Sequence, residues 1–177
     1  AEYYLRVAQD HDQKLQGAEQ SLALSLTALE LDNFRNAMDF AQEQGGWKLL
    51  GELGVALSLF FYIRGFWSEG IQRLRQAEEA LRSLGDNALL AKALYGLGRL
   101  YQFQGDYETA RNLYTESLQI RRELGDKRGI ANSLNNLGII AEDQGAYDEA
   151  RQLHQESLQI RRELGDRRGV AGSLNNL

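Results

Sequence analysis

Residues able to do chemistry are few in this sequence and poorly placed for it. There are two histidines, His11 and His154, and no cysteine. A metal set needs several ligands converging at known spacings. Neither histidine has a second imidazole or a thiol near it. His154 stands where a sister segment carries Tyr114, which marks it as a packing residue of the core or groove edge rather than a general base. His11 falls among charged residues of a predicted helix and is expected to face solvent. The acidic pairs Glu142-Asp143 and Asp148-Glu149 are adjacent in sequence. On a helix such neighbours point to different sides and cannot share one proton-transfer task. No catalytic, cofactor-binding or metal-binding residue is therefore expected, and an enzyme is not expected.

Two other groups could bind rather than react. One is Asn135-Asn136, which recurs at Asn175-Asn176. An asparagine side chain donates and accepts at once, which suits a backbone amide. The other is Arg121, Arg122, Lys127 and Arg128, with its copy Arg161, Arg162, Arg167 and Arg168. Repetition could stack these cations into a ridge for an acidic partner or an anionic ligand. The plainer reading outweighs this one. Arginine near a helix C-terminus complements the helix dipole, and Glu116, Glu123 and Asp126 can pair with these cations.

The elements that must position these residues repeat. Over Gly105–Leu137 and Gly145–Leu177, 24 of 33 positions are identical at an offset of forty. A fainter copy starts near Gly65. Each unit reads as two helices. Helix A runs about 127–144, with Leu134, Leu137, Ile140 and Ala141 on one face. Helix B runs about 147–164. Gly145 and Gly165 stop them, and Asp166 can cap the next helix. Leu-Gly-Asp recurs at 84–86, 124–126 and 164–166. Proline is absent, so glycine alone is left as a strong breaker, and the chain reads as nearly all helix.

The net charge of −5 argues against a general nucleic-acid binder. The longest apolar run, Val55 to Ile63, is interrupted by Ser58 and is too short to span a bilayer. No secretory signal is visible. A cytoplasmic protein without nucleic-acid or membrane partners is expected. The chain starts at Ala1 and stops partway through a repeat at Leu177, and is expected to be a piece of a larger protein.

The pair Leu137-Gly138, then Gly145, Tyr147, Ala150 and Ser157, resembles the tetratricopeptide repeat. The preceding copy carries Leu97-Gly98, Gly105, Tyr107, Ala110 and Ser117. Small residues let helix A approach helix B, and the aromatic fills the space between repeats. The forty-residue length is similar to the repeats of kinesin light chains and of the Leu-Gly-Asn spindle-orientation adaptors. The implied fold is all-α, a right-handed α-solenoid of antiparallel helix pairs. The array is expected over 47–177, with repeats at about 47–86, 87–126 and 127–166 and a truncated helix A at 167–177.

Residues 1–46 do not repeat cleanly. Glu2 to Leu15 reads as one helix, and Ser21 to Gln44 as one long or two abutting helices. The order of Tyr3-Tyr4-Leu5, then Asp32-Asn33-Phe34-Arg35-Asn36-Ala37-Met38, then Phe61-Tyr62-Ile63-Arg64-Gly65 with Glu69-Gly70, resembles bacterial signal-transduction ATPases of the STAND/NB-ARC type. There such a stretch joins the nucleotide-binding modules to a C-terminal repeat sensor. The resemblance implies that 1–46 is a helical adaptor. The chain itself carries no Gly-x-x-x-x-Gly-Lys-Ser/Thr phosphate loop.

In related solenoids helix A lines the concave face, and asparagines there hold an extended peptide backbone. The resemblance implies a protein- or peptide-binding groove from Tyr62, Lys92, Tyr95, Arg99, Gln102, Phe103, Asn132, Asn135, Asn136, Ile139 and Asp143, with Glu52, Val55 and Leu59 upstream. For the asparagines a second reading stays open, in which they bond neighbouring repeats and order the stack. The groove would grade from apolar to polar along the chain. The leading expectation is an interaction and sensor module. The alternative is a structural spacer or self-assembling solenoid, with end-to-end contacts through the truncated last repeat.

Overall fold

A left-handed glycine closes a helix every twenty residues along most of this chain. Gly45, Gly65, Gly85, Gly105, Gly125, Gly145 and Gly165 all have φ between +67° and +83°. A side chain there would be strained, so glycine is the residue that lets one helix turn back on the last. Half of the forty-residue period is thus one helix and its turn.

The computed structural model describes residues 1–176; expectations that rest on Leu177, including the apolar end it would form, fall outside the described residues. Those residues form ten helices and no strand. They are α1 (Glu2–Leu15), α2 (Gln20–Leu29), α3 (Leu31–Glu43), α4 (Trp47–Arg64), α5 (Trp67–Leu84), α6 (Asn87–Phe103), α7 (Tyr107–Leu124), α8 (Lys127–Asp143), α9 (Tyr147–Glu163) and α10 (Arg167–Asn175). The segment from Ser21 resolves into two helices that meet at Glu30. Among the described residues no helix is long and apolar enough to cross a membrane.

The fold is an α-solenoid. Helices α4, α6 and α8 form one layer (A), and α5, α7 and α9 the other (B). Within each pair the two helices are the closest neighbours in the molecule. Close approach depends on small residues. A Cβ on Gly98 would lie 2.7 Å from the ring of Tyr114, and one on Gly54 would lie 2.7 Å from Ala77 Cβ. Repeats are then stapled identically. Ser117 Oγ donates to Ala91 O at 2.7 Å, and Ser157 Oγ to Ala131 O at 2.8 Å. Asp86, Asp126 and Asp166 cap α6, α8 and α10 by accepting the N–H of Leu89, Gly129 and Gly169.

Along the outer layer runs a ladder of ion pairs with a thirty-four-residue step. Arg35 meets Glu69, Arg82 meets Glu116, and Arg122 meets Glu156, each thirty-four residues on. Asp39 meets Arg73 at the same step. This ladder places α3 against α5 as α5 stands against α7.

Tyr107 packs against a core cluster that includes Leu137 and Ile140 of the next repeat. Tyr147, expected to fill the corresponding space, is instead 68% exposed.

Candidate binding groove

Helix α1 does not stand aside from the array. Its C-terminal end and the turn that follows (Asp12, Leu15, Gln16, Gly17) lie over the inner layer. Together with α4, α6 and the start of α8 they line an open cavity of about 620 Å³. Arg168, at the far end of the chain, donates from Nη1 to Gln16 O at 3.2 Å. The two ends of the described chain thus meet across the groove.

Four of the expected groove residues converge on this cavity: Lys92, Tyr95, Arg99 and Asn132. Val55 and Leu59 line it as well, whereas Glu52 opens onto a separate, largely apolar depression beside Trp47 and Leu84. Gln102, Phe103 and Asp143 gather elsewhere, in a shallow cleft of about 290 Å³ with Tyr107. Tyr62 and Phe103 stack edge to face at 4.7 Å, with Trp67 5.8 Å from Phe103. Arg99 lies 3.6 Å over the Tyr62 ring, a close cation–π contact that holds the guanidinium across the groove wall. Ile139 is half-buried.

The asparagines tie repeats together. Asn136 Nδ2 donates to Tyr95 Oη at 3.2 Å and to Tyr114 Oη at 3.0 Å, and Tyr114 Oη donates to Gln102 Oε1 at 3.0 Å. Tyr114 is fully buried, and burial pushes its phenol well above the ordinary value. It serves as a neutral polar hinge of the core. Asn135 Oδ1 accepts from Asn176 at 3.3 Å.

His11 corrects the sequence reading. It is 7% exposed, not solvated. Thr27 Oγ1 lies 3.0 Å from its Nδ1, and its ring meets Phe34 edge to face at 6.2 Å. The contacts come from α2 and α3 folding over α1, which no local pattern announces. Burial lowers its pKa, against the opposing charge of Asp10. His154 is a core residue, as its place opposite Tyr114 implied, with 0% exposure. A Cβ on Gly138 would come within 2.7 Å of its Nε2. Burial lowers its pKa too, and Glu142, 3.4 Å from Nε2, opposes that. The two acidic pairs do diverge. Glu142 faces His154 while Asp143 is exposed, and Glu149 meets Arg111 while Asp148 faces Arg151.

The basic sets do not form one ridge. Arg122 and Lys127 turn outward to Glu156 and Glu163. Arg121, Arg128 and Arg168 turn inward to the cavity. The expected acidic partners are also mostly engaged elsewhere. Glu116 serves Arg82, and Glu123 accepts from Gln119. Arg121 is 95% removed from solvent, being 5% exposed. Its Nη1 donates to Gly129 O at 2.7 Å and to Ser133 Oγ at 3.1 Å, and its guanidinium sits 4.7 Å over Tyr95. Asp126 is 3.9 Å from its Nε, too far for a hydrogen bond. Burial pulls its pKa below the ordinary value, with Tyr95 and Asp126 opposing. Gly129 makes the seat, since a Cβ there would lie 2.6 Å from Arg121 Cδ. The first copy has Leu81 and Leu89 at these two positions. The change from a leucine pair to an Arg–Gly pair is the signal by which sequence could have found this buried cation.

Two family profiles, both described as tetratricopeptide repeat, match residues 53–123 and residues 130–165. No curated protein matches the chain in sequence. Among solved structures, BtubC (BKLC) from P. vanneervenii superposes with a TM-score of 0.69 at 21% identity. The match covers 84% of this chain and 63% of that one, so the likeness is one of fold, and the chain spans less than two thirds of that protein.

Proposed function

The chain carries a tetratricopeptide-repeat array, a protein-interaction module, and from that premise we propose that the inner groove between Glu52 and Phe103 is its recognition surface for a protein or peptide. One observation carries this reading. Positions on the inner cavity change between the first two repeats, while small residues at the helix-packing places are kept. The pairs Val55/Tyr95 and Leu59/Arg99 each share one place per repeat, line the inner cavity and differ in chemistry. Ala77, Ser117 and Ser157, at a packing place, stay small. A spacer built of uniform repeats does not call for that variation; recognition of a ligand accounts for it.

We place the module, as part of the same reading, at the ligand-recognition end of a larger bacterial regulatory ATPase. The order of the Tyr3-Tyr4-Leu5 helix, the 31–41 helix and the aromatic stretch before Gly70 supports it. The coding region upstream of Ala1 tests that part directly: a Gly-x-x-x-x-Gly-Lys-Ser/Thr loop is expected there, and its lack would remove the ATPase link while leaving the groove untouched. The groove is tested by quantitative affinity capture with the native chain and with Tyr95/Arg99/Phe103→Ala. Loss of specific partners in the triple variant is expected. Recovery of the same partners at the same yield would overturn the assignment. That second result would favour the spacer reading, which the uniform outer ion-pair ladder suits.

A further inference from the structure

The inner cavity holds more positive charge than the carboxylates that line it. Lys92, Arg99, Arg121, Arg128 and Arg168 line it against two carboxylates, Asp12 and Asp126. The cations come from four helices far apart in sequence, α6, α7, α8 and α10. Cations of the outer ladder (Arg35, Arg73, Arg82, Arg122) each reach a carboxylate across a repeat boundary. Among the described residues Lys92, Arg99, Arg128 and Arg168 have no carboxylate within 4 Å, and Arg121 has only Asp126, at 3.9 Å. Like charges brought together without counter-charge repel, and a buried one costs several kcal/mol unless it is paired.

Arg121 is the second, independent sign. It is 5% exposed, and its Nε finds no hydrogen-bond acceptor. Its counterpart Arg161 is differently placed. There Nε donates to Ser157 Oγ and Nη2 to Asn132 Oδ1, both at 3.1 Å. The same side chain at the same place in the repeat is thus satisfied in one copy and left short in the copy that faces the cavity.

We propose that this cavity is a binding site for a small polyanion of the diphosphate class. Guanidinium groups match the paired oxygens of phosphate with forked N–H donors. A formal excess of three positive charges fits a ligand with about three negative ones, the charge of a diphosphate. Size fits as well, since small-molecule sites span about 300–1,000 Å³ and this one measures about 620 Å³. The C-terminal end of α1 and the Arg168–Gln16 bond narrow the groove at this point, which suits a compact ligand. This inference does not require that the groove also take a protein, so the two stand or fall separately.

Isothermal titration of the native chain with pyrophosphate tests the proposal, with ADP in a second arm to ask whether a nucleoside adds affinity. Saturable binding of pyrophosphate is expected, and Lys92→Gln/Arg99→Gln should weaken it about tenfold or more. Arg128→Gln, an exposed position, repeats the test should the double variant unfold. The outer-face control Arg122→Gln/Lys127→Gln removes equal charge and should keep full affinity. Absence of binding by both anions at about 1 mM would overturn the proposal. So would equal losses in the inner and outer variants, which would mark diffuse charge attraction. Tight binding of a hexaglutamate peptide without binding of pyrophosphate would overturn it in favour of an acidic segment.

Discussion

The outer and inner faces of this solenoid carry the same kinds of side chain and use them in opposite ways. On the outer face, arginines and glutamates meet at a fixed thirty-four-residue step from α3 to α9. On the inner face, arginines gather around a cavity with few carboxylates, Asp126 lying 3.9 Å from Arg121. The difference shows where repetition serves the stack and where it has been broken for something else. Exposed ion pairs contribute little each, about 0–1 kcal/mol, so the outer ladder sets register between repeats more than it stabilises them. The inner cations instead reach backbone and hydroxyl oxygens, as Arg121 does at Gly129 and Ser133 and Arg168 does at Gln16.

Between the faces lies the packed layer, and it should dominate stability. Tyr114→Ala would remove a fully buried ring and its bonds to Gln102 and Asn136. A loss of about 3–5 kcal/mol is expected by analogy with other buried aromatics, measured by urea unfolding. A loss below about 1 kcal/mol would mean that the core does not depend on that hinge. Gly129→Ala should come next. Its Cβ would displace Arg121 from its seat, at about 1–3 kcal/mol for an overpacked site. It would also blur the inner cavity while leaving the outer ladder intact. An unchanged melting temperature would show that Arg121 is not held by this contact.

Acid should destabilise the packing around the two buried histidines. Both histidines are held below their ordinary pKa by burial. The unfolded chain therefore binds their protons first as pH falls below about 6.5. Stability present above that value is lost on further acidification. Thermal melts from about pH 7.5 to about pH 5.5 should show a falling melting temperature. His154→Tyr copies the sister repeat, where the tyrosine contacts the residue matching Glu142 and the residue matching Asn176. It should fold normally and flatten part of that slope. The same slope in the variant would show that His154 does not carry it. The smallest effect is expected on the outer face, where Glu156→Gln breaks the pair with Arg122. Less than about 1 kcal/mol should be lost, and binding should be unaffected.

Much of this architecture was legible in the sequence, and the reason is periodicity. Helix ends follow from glycines that alone tolerate positive φ, and caps follow from Asp three residues before the N–H it accepts. The packing role of His154 followed from its place opposite Tyr114. What escaped was tertiary. His11 looks solvated in a charged helix, and only the fold of α2 and α3 over it supplies Thr27 and Phe34. The inward turn of Arg121 and Arg128 and the outward turn of Arg122 and Lys127 depend on which face of a helix meets its neighbour. The closing contact between Gln16 and Arg168 spans 152 residues, beyond any local signal. The outer ladder could have been read, since the charges alternate at a constant step, but the forty-residue period hides a thirty-four-residue one.

The central claim is that the groove positions of residues 52–103 carry recognition and the packing positions carry the fold. It is tested most directly by giving one repeat the groove of its sister. Lys92→Asn/Arg99→Ile/Phe103→Asp makes that exchange at three positions without touching a fully buried side chain. Partner capture and melting temperature are measured on this variant, on native protein and on Glu156→Gln. The account predicts that the exchanged protein melts within about 5 °C of native and loses its specific partners, while Glu156→Gln keeps both. Retention of the same partners by the exchanged protein would contradict it.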